Sequence, residues 1–181
     1  SFLNLHPDIA VISSMDADHL DIYENKEDLQ NTFRKFAGLL SKSGTFIRNK
    51  SLPAFNLSGV KTLTYGIHPE ANVRATNIRV RKGQFVFELL NEKERISDII
   101  MQIPGHHYIE NSLAAATIGF QLGLSGDQIK TGLESFTGVE RRFEIRLDNV
   151  DQVYIDDYAH HPEEIKATIS AVKMLHPDKK I

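Results

Sequence analysis

Cysteine is absent from the chain, which excludes a disulfide framework and thiolate zinc sites and is what a cytoplasmic protein shows. No apolar run approaches the ~20 residues that a membrane-spanning helix needs. An excess of one charge sign is also missing: 21 Lys and Arg face 24 Asp and Glu, a net −3 that provides no general surface for nucleic acid. With 41% hydrophobic and 25% charged residues, the composition is that of an ordinary soluble globular protein. Neither an initial methionine nor a signal peptide is present, and the last residues, Pro177 to Ile181, read as a turn followed by the start of another strand. Both ends read as cut. A piece of a longer protein is expected, with 181 residues sufficing for one large domain or for one domain and part of another.

The richest stretch runs from Val153 to Glu164. Val153, Tyr154 and Ile155 are β-formers; Asp156, Asp157, Tyr158, His160 and His161 then crowd into six residues. Pro162 suits the first turn of a helix, and Glu163 and Glu164 suit its positive end. Ile165, Thr168, Ile169, Val172 and Leu175 follow at helical spacing. The spacing predicts strand, polar loop, helix, with the loop at the carboxyl end of the strand, where α/β folds bind ligands. A turn alone needs no such density of ionisable groups.

Earlier in the chain, Ile9–Ile12 reads as a buried parallel strand that runs into an acidic loop with Asp16, Asp18, His19 and Asp21. Glu27 to Leu40 is an amphipathic helix carrying Leu29, Phe33, Phe36 and Leu40 on one face. Strands are predicted at Thr45–Ile47 and Thr62–Gly66, with a loop or short helix over Ser51–Ser58 between them. From Val73 the period changes to two: Val73–Arg81, Gln84–Leu90 and Ile96–Ile103 read as a small antiparallel meander inserted into an otherwise α/β chain. A polar loop over Pro104–Asn111 precedes an alanine-rich helix, Ser112–Leu122, whose Ala114, Ala115, Ala116 and Gly119 would permit close approach to a sheet. Ser125 and Gln128 form a capping box for a further helix. Arg141 and Arg142, just after Gly138 in a loop, are what a phosphate clamp between domains would need. Residues 146–150 read as the join to the strand at Val153.

Four signatures thus fall in a fixed order: Ala17-Asp18-His19-Leu20-Asp21; Pro104-Gly105-His106-His107 with Asn111; Gly138 through Arg142-Phe143; and Asp156-Asp157-Tyr158-Ala159-His160-His161-Pro162. Together they resemble the Mur ligase family, over essentially the whole chain. The resemblance implies an α/β fold: part of a P-loop-type central domain with a small antiparallel β meander (1–147), then the first strand and helix of a Rossmann-like C-terminal domain (148–181). It implies ATP-dependent joining of L-alanine to the lactyl carboxylate of UDP-N-acetylmuramate through an acyl phosphate, in peptidoglycan precursor synthesis, with ATP and Mg2+ as cofactors. By the same resemblance His19 is the magnesium-binding residue at the substrate carboxylate. Asn111 lies near the nucleotide, Arg142 reaches the ATP phosphates and Asp157 approaches the nucleotide. Tyr158 and His160 line the closed cleft.

The chain also departs from the family's pattern. Tyr108 stands where an asparagine is usual, His106 replaces a common arginine and Ala159 a common glycine. These residues include neither the glycine-rich P-loop with its lysine nor the glutamate that would share magnesium with His19. Residues 1–181 alone are therefore not expected to turn over, because nothing would hold the γ-phosphoryl in line. A peptide-joining ligase of the same family shares nearly all these motifs. Two other classes compete: a metal-dependent hydrolase on Asp16, Asp18, His19, Asp21, His160 and His161, and an interaction domain using the meander as a binding edge.

Overall fold

The structure is a computed structural model that describes residues 2–15 and 25–181. Eight strands and four helices are described: β1 (Ile9–Ile12), α1 (Lys26–Ala37), β2 (Thr45–Asn49), β3 (Lys61–Gly66), β4 (Val73–Arg81), β5 (Gln84–Leu90), β6 (Arg95–Met101), α2 (His106–Gln121), α3 (Gly126–Ser135), β7 (Glu144–Asp148), β8 (Val153–Asp156) and α4 (Pro162–Leu175). The first six strands form one sheet in chain order, parallel from β1 to β4 and antiparallel from β4 to β6. The expected antiparallel meander is present as β4, β5 and β6. It extends the parallel sheet through two residue pairs, Tyr65 with Val73 and Gly66 with Arg74. Asn72 makes that junction possible, because its side-chain oxygen accepts the Thr64 N–H at 2.8 Å where a strand partner is lacking.

Alternation along β2 explains the two layers. Phe46 points to the α1 face, where it joins Ala10, Ile12, Ala37 and Leu40, and its ring stacks on Phe55 at 5.6 Å. Ile47 points to the other face and meets the larger core of Tyr65, Phe85, Phe87, Leu89 and Ile99 under α2 and α3. Both residues are fully buried, as a strand covered on each side must be. Ser51–Ser58 has no helix. Arg48 organises its start, donating from one guanidinium nitrogen to the carbonyls of Asn49, Lys50 and Leu52, and burial lowers its pKa.

Helix α2 begins at His106, six residues before the predicted start, so the expected polar loop is its first turns. Gly105 makes the earlier start possible: its φ of +129° turns the chain sharply, and a Cβ there would lie 2.7 Å from the His107 ring. Of the small residues on this helix, Ala116 packs into the sheet core, whereas Gly119 faces α3, where a Cβ would meet Ile129 at 3.3 Å.

The C-terminal segment is a hairpin and a helix. Strand β7 starts at Glu144 and pairs antiparallel with β8, so the expected boundary between 147 and 148 falls inside a strand. Ile103, Phe143 and Ala171, flanked by Tyr108, Ile155, Val172 and Leu175, join this unit to the main sheet. The predicted apolar face of α4 is divided accordingly. Val172 and Leu175 pack inward with Ala171, while Ile165 and Ile169 remain 42% and 39% exposed.

Candidate functional site

The carboxyl ends of the parallel strands β1, β2 and β3 deliver Ser13, Ser14, Asn49 and Tyr65 to one side of the sheet. There, with α2 and α4, they border a cavity of about 1000 Å³. Asn111, Arg142 and Asp157, predicted from three separate stretches, all line this cavity. Tyr158 and His160 do not; both are exposed beside it. His19 and the acidic loop Asp16, Asp18 and Asp21 lie outside the described residues. Among the described residues no three His, Cys, Asp or Glu side chains are grouped to hold a metal ion.

Asn111 follows Tyr108 by one helical turn, so both reach the same face of α2. Tyr108 is half-buried against His107, ring centroids 4.3 Å apart. It therefore contributes an aromatic wall where an asparagine would contribute an amide. Burial, reinforced by the Asp157 charge, raises the Tyr108 pKa, and burial lowers that of His107 despite Asp157. Deeper in the cavity, burial pushes the Tyr65 phenol up to about 12, with Glu110 adding to it.

Arg142 is presented by a tight turn. Gly138 has φ +112°, and two non-glycine residues, Arg141 (+57°) and Phe143 (+51°), are also left-handed. The Arg142 N–H donates to the Val139 carbonyl at 3.1 Å, and the Arg141 carbonyl accepts the Tyr158 N–H at 2.7 Å. Both guanidinium groups lie over the Tyr158 ring, Arg141 at 4.9 Å and Arg142 at 5.8 Å from its centroid. Tyr158 thus supports the arginine turn from outside the cavity.

Glu164 is the counter-charge. Its carboxylate pairs with Arg142 at 3.4 Å and accepts the His160 N–H at 3.2 Å. Burial alone would raise its pKa, but the backbone N–H groups of His160 and His161, with Arg142, hold it below the usual carboxylate range. His160 is fixed by its own loop, its Nδ1 lying 3.0 Å from the Tyr158 carbonyl.

Asp157 spends its acceptors on structure. One oxygen takes the Ala159 N–H at 2.8 Å; the other takes the Phe143 N–H at 3.1 Å and the Thr168 hydroxyl at 3.0 Å. The sequence marks neither Glu164 nor Thr168 as a site residue: one reads as a helix-start acid and the other as part of an apolar stripe. Tyr65 carried one signal that could have found it, its place next to the end of a predicted strand, whereas Asn49 lies two residues past the predicted end of Thr45–Ile47 and carried none.

A mixed sheet with helices on both faces, a ligand-sized cleft at its carboxyl edge, an arginine in the linking turn and a second α/β unit that borders the cleft with an aspartate define a two-lobed α/β protein. The Mur ligase middle domain model matches residues 1–119, and the Mur ligase glutamate ligase domain model matches residues 141–181. The chain belongs to the Mur ligase family. The UDP-N-acetylmuramate--L-alanine ligase of Christiangramia forsetii is 39% identical over 181 residues, which cover 100% of this chain and 39% of that protein. The chain thus spans about two fifths of the length of the curated relatives it matches. Among solved structures, the UDP-N-acetylmuramate-alanine ligase MurC of Thermotoga maritima has a TM-score of 0.79 at 22% identity, covering 98% of this chain and 41% of that one. MurF of the same organism in complex with ADP has a TM-score of 0.78 at 18% identity, covering 93% and 39%. At such identities the likeness shows the fold alone. Among the described residues no helix is long and apolar enough to cross a membrane.

Proposed function

We propose that these residues are the cleft-forming part of an ATP-dependent UDP-N-acetylmuramate–L-alanine ligase, which forms an amide bond through an acyl phosphate. The reading is supported chiefly by the convergence of Asn111, Arg142 and Asp157 on one cavity, and by relatives that bear this name across the whole chain. Phosphoryl transfer asks a protein mainly for positioning and positive charge. Arg142 supplies such a charge at the cavity wall, its five N–H donors leaving several free for phosphate oxygens while one holds Glu164. Asn111 and the Tyr108 ring would border the nucleoside. Asp157 and Glu164 hold the turn that carries the arginine.

A cavity of about 1000 Å³ has room for a nucleotide, and Arg142, Asn111, Ser13 and Ser14 on its wall offer donors to phosphate and base. Magnesium, when bound, would supply further charge at the phosphates; its proposed ligand, His19, is outside the described residues. The boundary between the two units is best set before Glu144, since β7 pairs with β8.

The test is substrate-dependent ADP release by the full-length protein, with UDP-N-acetylmuramate and either L-alanine or the peptide of the peptide-joining relatives. Release with L-alanine, sharply reduced but still measurable in Arg142→Ala without loss of fold, is the expected result. Release with the peptide alone would move the protein to the other branch of the family. Release with neither would overturn the ligase reading. Residues 1–181 by themselves are expected to release no ADP.

A further inference from the structure

Thr168 lies in α4, on the cavity wall, and its hydroxyl donates to Asp157 at 3.0 Å. The same carboxylate accepts N–H groups from Phe143, in the turn after Gly138, and from Ala159, in the loop after β8. Three segments, the turn before β7, the loop after β8 and α4, thus meet on one side chain, using three of about four lone-pair sites. Phe143 is the neighbour of Arg142 and is held left-handed, a conformation that a bulky residue keeps only when its surroundings over-determine it. The Phe143 N–H bond to Asp157 is one such constraint, and the Thr168 hydroxyl fixes the carboxylate that accepts it.

We propose that Thr168 is a positioning residue: acting through Asp157, it holds the Phe143 turn that aims Arg142 into the cavity. This rests on the reading of Arg142 as a phosphate-facing residue. Glu164 restrains the guanidinium from the other side, and the Thr168–Asp157 bond restrains its backbone. A threonine that merely packed would be replaced by valine without consequence, since the two have nearly the same shape.

The experiment compares Thr168→Val and Thr168→Ser in the full-length protein, alone and combined with Arg142→Ala, by steady-state kinetics with ATP as the varied substrate. Losing a hydrogen bond to a charged acceptor corresponds to about tenfold or more, so Thr168→Val is expected to raise the ATP KM by about tenfold, with kcat less affected. Thr168→Ser, which keeps the hydroxyl, is expected to stay within about twofold of the unmodified protein. In the Arg142→Ala background, Thr168→Val is expected to add nothing further. Should the valine variant not fold, Thr168→Ala takes its place in every arm. An unchanged ATP KM in Thr168→Val, alongside a raised one in Arg142→Ala, overturns the proposal and leaves the ligase reading standing. A defect in the serine variant equal to that of the valine variant, or one that persists undiminished without Arg142, also overturns it. If Arg142→Ala itself leaves the ATP KM unchanged, the reading of Arg142 falls and the proposal with it.

Discussion

Phe143→Ala isolates the contact between the two units. Phe143 is 3% exposed and is the aromatic side chain among the three buried members of the joining cluster. Removing a buried phenyl ring costs about 3–5 kcal/mol in a well-packed core. Here the lower end applies, about 3 kcal/mol, because Val172 and Leu175 are only half-buried and can partly close the gap. The cost should fall on docking of the C-terminal unit, since the main core shares only the partly buried Tyr108 and Leu175 with this cluster. Native-state amide exchange reads this directly: amides of β7, β8 and α4 should exchange roughly a hundredfold faster, while those of β2 and β5 keep their protection. A companion variant tests the backbone. At φ +51° alanine is strained and glycine is not, so Phe143→Gly should be more stable than Phe143→Ala by about 1 kcal/mol, the reverse of the usual order. A loss below about 1 kcal/mol in the alanine variant, or equal loss of protection across the six-stranded sheet, would refute the view of Phe143 as the wedge between units.

Gly138→Ala should destabilise the same junction. Its φ of +112° is open essentially to glycine, at a cost of about 1–3 kcal/mol for other residues. The new Cβ would also lie 2.6 Å from the buried Ile103 side chain. Urea denaturation of this variant should show a lower midpoint, and a midpoint equal to that of the unmodified protein would contradict the assignment. His107 predicts a pH dependence. Burial lowers its pKa in the folded state, so the unfolded chain binds the proton first and favours unfolding. The stability associated with its neutral form is complete above about pH 6.5, the unfolded value, and declines as pH falls toward the lowered folded value. His107→Gln should flatten that part of the stability profile, and an unchanged slope would count against burial as the cause. Tyr65 behaves oppositely at high pH: its phenol, at about 12 when folded, contributes stability that is lost as pH rises from about 10 toward that value. Ultraviolet titration of Tyr65→Phe should lack the latest-ionising phenol.

Much of the local structure was legible in the residues alone. β4 and β5 have the bounds expected from their alternation, and β1 those expected from its apolar run. The Ser125–Gln128 capping box is present with both its hydrogen bonds, and Pro162 opens α4. These features depend on neighbours a few residues apart, which is why spacing reveals them. The start of α2 was not legible, because His106, His107 and Tyr108 are no helix-start residues. It is set by the Gly105 turn and by Ile109, fully buried in the core.

The motifs that mark the family, and the chemistry they can support, are therefore properties of the sequence by itself. Which side chains share a cavity, and which of them hold others in place, belong to the tertiary structure. Asp157 reads as a ligand-facing carboxylate until the fold brings the Phe143 N–H and the Thr168 hydroxyl to it. The stripe on α4 likewise shows which residues are apolar but not that Val172 and Leu175 pack with Ala171 against the main sheet while Ile165 stays in solvent. Periodicity is short-range and records a face, whereas the neighbour that covers a face, and the donor that occupies a lone pair, are supplied by other elements of the fold.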